Sequence, residues 1–300
     1  MPNIPIFLSS DNNYAPFVAT TIASICDNTK SFCEFYVLDG GISAENQTKI
    51  CELKKQFSNF EIEFIKIDTE KYFKDFKETQ YITKSMYSRF LIPDLKPNIK
   101  KAIYSDVDVI VLGDIREMFE EDLGDYILGA VRDFKAQDKI FEKHRREIGL
   151  DKNHDYFFSG NLLFDCDKWR ENDIYHKLTH LANTMSHSKL TCPDQDILNL
   201  FFENNYKILD YKYCYCVAQT VSNPNGEVFI RHYNGPVKPW HINPHTKTAM
   251  MPHLKDFWNY ARKTPFYDEL YQKTLDETQQ KNILRTLRVV VITNTVKDRK

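Results

Sequence analysis

Apolar runs and helical spacings alternate through residues 4–67, and this alternation restricts the folds open to the chain more than any other feature. Residues 4–9 form an apolar run that ends in polar Ser9-Ser10-Asp11-Asn12-Asn13-Tyr14, and residues 17–25 then carry apolar side chains at helical spacing. A second strand is predicted over 33–38, a helix over 44–57 and a third strand over 61–67, where apolar and polar residues alternate. Parallel strands need a long crossover, so this order predicts an α/β domain with a mostly parallel central sheet, right-handed crossovers and flanking helices. In such sheets ligands gather at the carboxyl ends of the strands, where the Asp11 loop emerges. No Gly-x-Gly-x-x-Gly is present, so a dinucleotide-binding version of this architecture is unsupported.

Residues 101–112 are an apolar run interrupted at its middle by Asp106 and Asp108. Alternate side chains of an extended backbone share a face, so the two carboxylates point the same way. Placing two anions side by side among apolar residues is costly unless a cation or strong donors answer them. A divalent metal is one answer and a solvated turn is the other. Asp-x-Asp also occurs at Asp165/Asp167 and Asp194/Asp196, but there it adjoins helical patterns and is predicted to cap or begin a helix.

Beyond this run, the spacing predicts helices over 83–91, which carries Arg89, and over 114–123, then a strand over 127–131 ending at Arg132-Asp133. A charged helix is predicted over 139–148 and a strand over 157–164, with Gly160 at its middle marking a bulge or a close approach. Residues 169–202 read as helical with a break at 191–193, which puts Asp194 and Gln195 in a first turn, and 210–226 read as an irregular loop. The segment Arg231-His232-Tyr233-Asn234-Gly235-Pro236-Val237-Lys238-Pro239-Trp240-His241 follows. Gly235 allows close backbone approach, and Lys238 is a point charge suited to phosphate. With Asp106 and Asp108 these residues make a coherent set: two carboxylates and the His232 imidazole for a metal, and an ammonium for phosphate oxygens.

Three hundred residues with 42% apolar content suit one large α/β domain. We assign 1–260 to that domain and 261–300 to a helical and basic tail. A formal charge of −2 gives no bulk field to draw nucleic acid. The seven cysteines are scattered, odd in number and free of CxxC pairs, and read as reduced thiols of a cytoplasmic protein. No signal peptide or transmembrane stretch is seen. Residues 281–300 hold six basic residues against one acidic residue, so this tail could meet an anionic membrane at its inner face, with a solvated tail as the alternative.

Together, Ser9 to Tyr14, Tyr87-Ser88-Arg89, Tyr104-Ser105-Asp106-Val107-Asp108, Leu123-Gly124-Asp125, Leu128-Gly129-Ala130, Cys192-Pro193-Asp194-Gln195-Asp196 and His232 to His241 resemble retaining glycosyltransferase family 8. That family includes bacterial lipopolysaccharide and lipooligosaccharide galactosyl- and glucosyltransferases and glycogenin. The resemblance implies a GT-A nucleotide-sugar-binding fold and transfer of galactose or glucose from a UDP-sugar, with retention, to a saccharide or glycolipid acceptor. It implies Mn2+, with Mg2+ as the alternative, on Asp106, Asp108 and His232. Ser9, Asp11, Asn13 and Val107 would hold the nucleotide, Gly235 and Lys238 the diphosphate, and Arg89, Asp133, Ser159, Gly160, Asp194 and Gln195 would surround the hexose. Lys238, Gln195 and Asp194 are the catalytic candidates: Lys238 to stabilise the leaving diphosphate, and Gln195 or Asp194 if a nucleophile is used. A loop at 214–228 or 235–245 is a hypothetical lid.

The family strand usually reads Phe-Asn-Ala/Ser-Gly-Val, but here it is Phe157-Phe158-Ser159-Gly160-Asn161. Asn161 should then face away from the side occupied by residue 158 unless Gly160 bulges. The alternative from another class is a non-catalytic UDP-sugar or glycan-binding protein.

Overall fold

The structure, a computed structural model, describes residues 3–74, 76, 84–133, 139–185, 189–217, 226–235, 237–246 and 253–276. Its strands are β1 (Ile4–Ser10), β2 (Cys33–Asp39), β3 (Phe60–Lys66), β4 (Lys101–Ser105), β5 (Val109–Val111), β6 (Leu128–Arg132), β7 (Phe157–Asp165), β8 (Lys207–Ile208), β9 (Tyr215–Cys216) and β10 (Ile230–His232). Seven form one sheet in the order β3-β2-β1-β4-β7-β6-β8, and β5-β10-β9 form a smaller one. β1 pairs in parallel with β2 and β4, β2 with β3, and β6 with β8. β7 runs antiparallel between β4 and β6. The sheet is therefore mostly parallel, as the alternation predicts.

Chain order places β2 and β3 on one side of β1, and β4 on the other. This reversal creates a switch point between the carboxyl ends of β1 and β4, at Ser10 and Ser105. The helix Ala15–Asn28 begins just after β1 because Asp11 Oδ1 accepts the backbone N–H groups of Asn13 and Tyr14, and Pro16 suits a first helical turn. Side-chain alternation along β1 then divides the core: Ile4, Ile6 and Leu8 bury against this helix, while Phe7 faces the opposite layer with Tyr104 and Phe157. Each such buried side chain contributes about 1.5–3 kcal/mol relative to exposure.

Several elements differ from the sequence expectations. Residues Lys84–Leu91 wind as a 3-10 helix. The helical stretch after 165 breaks twice, because Asp173 adopts a left-handed φ of 52° before the break expected at 191–193. The resulting helices are Cys166–Glu171, Ile174–Thr184 and Pro193–Phe201. Within 210–226, Tyr211–Tyr213 form a 3-10 turn that leads into β9, and residues 218–225 lie outside the described residues. A two-residue strand has too few positions to show a period.

Asp165 caps its helix through the Lys168 N–H, as expected. Asp194 does not cap; it faces Arg89, and the neighbouring Asp196 instead accepts the N–H groups of Thr191 and Cys192. Helices Leu254–Ala261 and Tyr267–Lys273 bury Trp258, Ala261, Phe266 and Leu270 in the cluster that holds the helix after β1. The basic segment 281–300 lies outside the described residues. No helix among the described residues is long and apolar enough to cross a membrane.

Candidate functional site

At the switch point a cleft of about 230 Å³ is lined by Ser9, Ser10, Asp11, Tyr14, Met86, Arg89, Tyr104, Asp106, Val107 and Asp108. β4 ends at Ser105, and the chain turns through Asp106-Val107-Asp108 into β5. The turn is fixed from behind by the Thr21 hydroxyl, which lies 3.1 Å from the carbonyl oxygens of both Val107 and Val109. β10 pairs antiparallel with β5, His232 opposite Val109, and this ladder carries the imidazole to the turn. His232 Nε2 lies 3.1 Å from Asp108 Oδ1 and 3.8 Å from Asp106 Oδ2. One donor atom from each of the three residues falls within 4.8 Å of the others.

Gly160 makes this meeting sterically feasible. A Cβ there would lie 2.5 Å from Asp106 Oδ2 and 2.8 Å from His232 Cε1. The close approach expected at this glycine is thus made by a carboxylate and an imidazole. Pairing between β6 and β7 is also irregular here, because Ala130 faces Leu162 but Arg132 faces Phe157. Phe158 and Asn161, an odd number of residues apart, both reach the surroundings of His232: Asn161 Nδ2 donates to Cys214 Sγ, which lies beside His232 Nδ1, and Phe158 joins the same hydrophobic cluster as Cys214. Phe158 lies edge-on to the His232 ring, with centroids 6.2 Å apart.

Each carboxylate has its own set of partners. Asp106 Oδ1 accepts the Tyr104 hydroxyl at 2.7 Å and faces Arg89 Nη2 at 3.3 Å. Burial pushes the Asp106 carboxyl above its ordinary pKa and Asp108 adds to this, while Arg89 and His232 oppose it. Asp108 meets His232 and, at 2.6 Å, Lys238 Nζ. Burial would raise Asp108, but the two cations more than offset it, and the carboxyl sits well below the ordinary range. The reciprocal holds for His232: burial alone would lower its pKa, yet Asp108 and the thiol of Cys214 hold it well above the usual imidazole value. Asp108 is thus paired with His232 on one oxygen and with Lys238 on the other.

A second network extends from Arg89. Its Nη1 donates to Ser159 O at 2.7 Å and Ser159 Oγ at 2.9 Å and pairs with Asp194 Oδ2 at 3.0 Å. Ser159 Oγ also donates to Asp194 Oδ2 at 3.0 Å, and Ser159 N–H donates to Gln195 Oε1 at 3.1 Å. The Arg89 guanidinium lies 4.6 Å from the centre of the Tyr104 ring. Asp194 and Gln195 are thus joined to the Asp106 side through Arg89 and Ser159.

Among the remaining sequence candidates, Asp133 is buried at the end of β6, its N–H bonded to Tyr156 O. Gly235 has a left-handed φ of 102° between His232 and Lys238. Asn13 lines a neighbouring cleft of about 540 Å³ with Trp240, His241 and Tyr14, the last of which also lines the first cleft. Sequence reasoning did not single out Tyr104, although it precedes Asp106 by two residues and so shares its face. It also missed Thr21, whose helical position gives no sign of its backbone partners.

The donor set, two carboxylates and an imidazole against a glycine, suits a divalent cation such as Mn2+. The family model for glycosyl transferase family 8 matches residues 5–243. The chain is 30% identical over 274 residues to general stress protein A of Bacillus subtilis, covering 85% of this chain and 92% of that one. It is 28% identical to the lipopolysaccharide 1,2-glucosyltransferase of Escherichia coli, covering 90% and 81%. The structure of the galactosyltransferase LgtC in complex with donor and acceptor sugar analogues superposes with a TM-score of 0.76 at 25% identity, covering 91% of this chain and all of that one. The fold is of the GT-A type, and the sequence match runs from β1 past the His232 and Lys238 segment: the chain belongs to glycosyltransferase family 8.

Proposed function

We propose that this glycosyltransferase moves a hexose, galactose or glucose, from a UDP-sugar to a saccharide or glycolipid acceptor with retention at the anomeric carbon, in lipopolysaccharide or lipooligosaccharide assembly. The observation that carries the reading is the arrival of His232 beside Asp106 and Asp108, more than 120 residues away in sequence, at the carboxyl ends of β1 and β4. Support for the hexose and acceptor class comes from the relative named as a lipopolysaccharide glucosyltransferase.

Breaking the anomeric carbon–oxygen bond leaves charge on the diphosphate, so the barrier falls chiefly by stabilising that leaving group. A divalent cation, Mn2+ or else Mg2+, held by Asp106, Asp108 and His232 would supply Lewis acidity there. His232 would hold it through an unprotonated Nε2. Lys238 Nζ, 2.6 Å from Asp108 Oδ2, would stand beside the diphosphate as a fixed cation. Such a charge pair at about 4 Å is worth ~1 kcal/mol in water and ~4 near a protein surface, so the switch-point cleft, partly walled by Tyr14 and Met86, strengthens the contact. Ser9, Asp11 and Val107 line the nucleotide side, and Gly235 offers its backbone to the diphosphate.

Arg89, Ser159, Asp194 and Gln195 hold the hexose side, near Gly160 and Asp133. Asp194 is buried and engaged by both Arg89 and Ser159, which makes it a poor nucleophile. Gln195 is a neutral amide. We therefore favour front-face attack, in which a diphosphate oxygen takes the acceptor proton. Mass-spectrometric trapping of a glycosylated Asp194 or Gln195 would overturn that step.

The work is cytoplasmic in this reading, with residues 281–300 touching the anionic inner face of the membrane. Removing them should abolish co-sedimentation with anionic vesicles, and an unchanged distribution would refute the contact. The reaction itself is tested by UDP release from a panel of UDP-hexoses with Mn2+, comparing wild type with Asp106→Ala/Asp108→Ala. Turnover with one hexose that is lost in the variant supports the proposal. UDP-sugar binding without release by any chain would instead favour a binding protein.

A further inference from the structure

His232 has a second face that the transfer reaction does not use. Its Nδ1 lies 3.7 Å from Cys214 Sγ and 4.0 Å from Cys216 Sγ, and the two sulfurs are 3.9 Å apart. The spacing follows from the backbone. Cys216 pairs directly with His232 in the parallel β9/β10 ladder, and Cys214, two residues earlier, shares its side of the chain. A tetrahedral ion with bonds of about 2.3 Å to sulfur and 2.0 Å to nitrogen holds S···S near 3.8 Å and S···N near 3.5 Å. All three observed separations are within about half an ångström of those values.

We propose that Cys214 Sγ, Cys216 Sγ and His232 Nδ1 form a binding site for a thiophilic d10 cation such as Zn2+ or Cd2+, and that its occupation removes the His232 Nε2 lone pair from the ligand set it would share with Asp106 and Asp108. Two surrounding contacts fit this role. Asn161 Nδ2 donates to Cys214 Sγ at 3.4 Å, a contact that supports a thiolate. Asp108 Oδ1, at 3.1 Å from Nε2, is placed to accept the remaining ring proton, the carboxylate–histidine–metal arrangement that fixes a ligating imidazole. Binding displaces the protons on the two sulfurs and the proton on His232 Nδ1, while Nε2 keeps its own, and three protein donors leave a fourth position for water.

The antagonism follows from the lone pairs of imidazole. A neutral ring has one, so ligation through Nδ1 leaves a proton on Nε2, and Nε2 cannot then donate to a second ion. One imidazole therefore serves either the thiols or the carboxylates. This second half of the proposal rests on reading Asp106, Asp108 and His232 as the donor-metal site; the thiol site itself does not.

The test titrates Cd2+ alone into the reduced, metal-free full chain and follows the ultraviolet thiolate-to-cadmium charge-transfer band and the 113Cd resonance. One ion per chain with two sulfur ligands is expected. The band should persist in Cys51→Ser/Cys192→Ser, which removes the two cysteines that are not buried, and vanish in Cys214→Ser and in Cys216→Ala. If either variant fails to fold, the wild-type 113Cd shift still decides between sulfur and oxygen ligation. A band that survives both substitutions, or cadmium held only by oxygen, would overturn the site. In a second arm, one equivalent of Cd2+ should weaken Mn2+ binding in wild type by about 10- to 100-fold, the scale of ligand-shell losses, and not in Cys216→Ala. Full co-occupancy of Mn2+ and Cd2+ would overturn the antagonism, and an absence of Mn2+ binding would count against the donor-metal reading while the cadmium band still reports on the thiols.

Discussion

Gly160→Ala probes the site with a single methyl group. Gly160 is not in a positive-φ conformation, so the backbone admits alanine and only space is at issue. The new Cβ would lie 2.5 Å from Asp106 Oδ2 and 2.8 Å from His232 Cε1. Ordinary carbon–oxygen and carbon–carbon contacts start near 3.3 and 3.5 Å, so the carboxylate must retreat about 0.8 Å and the ring about 0.7 Å. Neither has room. Asp106 is held by Tyr104 and Arg89, and His232 is backed by Cys214 and Cys216. Overpacking of this kind costs about 1–3 kcal/mol. If the strain falls on the cluster, Mn2+ affinity drops by about 5- to 140-fold. Calorimetric Mn2+ titration, with thermal unfolding measured alongside, apportions the cost between binding and folding. Wild-type affinity together with an unchanged unfolding midpoint would refute the reasoning.

Arg89→Met leaves Asp194 and Asp106 without their shared cation, and removing one partner of a buried pair costs about 3–5 kcal/mol. Urea unfolding should show a loss on that scale, and a shift below about 1 kcal/mol, the range of exposed pairs, would contradict the network. Because Asp108 holds His232 protonated against the effect of burial, Mn2+ must displace that proton. Its binding should therefore weaken as pH falls, and calorimetry in buffers of different ionisation enthalpy should record close to one proton released at neutral pH; zero release would contradict the ion-paired resting state. The sign for stability is the reverse: with its pKa raised on folding, His232 contributes fully below about 6.5 and loses that contribution as pH rises through its folded value. His253 acts oppositely, since burial and then Arg231 depress it to about 4. Its contribution is present above about pH 6.5 and is lost as pH falls toward 4, so His253→Gln should flatten the acid limb of a urea-midpoint profile.

The sheet was legible because β1 to β3 and the helices between them carry long, clean periods. β9 and the 3-10 turn before it were not, because their packing is decided by contacts with β6 and β10 rather than by local pattern. Within the site, Asp106 and Asp108 announced themselves as charges inside an apolar run. His232 could be grouped with them by chemistry, but its place beside them could not be read locally, since nothing next to a histidine says which strand its own will meet. Asp194 shows the limit of local rules: its position at the start of a helix favours a cap, yet the buried Arg89, from a distant part of the sequence, takes it instead. The cysteines show the same limit. The chain has no CxxC pair, but in an extended backbone it is Cys-x-Cys that shares a face.

We propose that one divalent ion is held jointly by Asp106, Asp108 and His232. Its most direct test is pulsed electron paramagnetic resonance of Mn2+ bound with UDP to protein labelled with 15N at histidine. One Mn2+ per chain is expected, with a hyperfine coupling to a directly bound imidazole nitrogen that disappears in His232→Ala. Bound Mn2+ with no nitrogen coupling, or with a coupling that persists in His232→Ala, would contradict it.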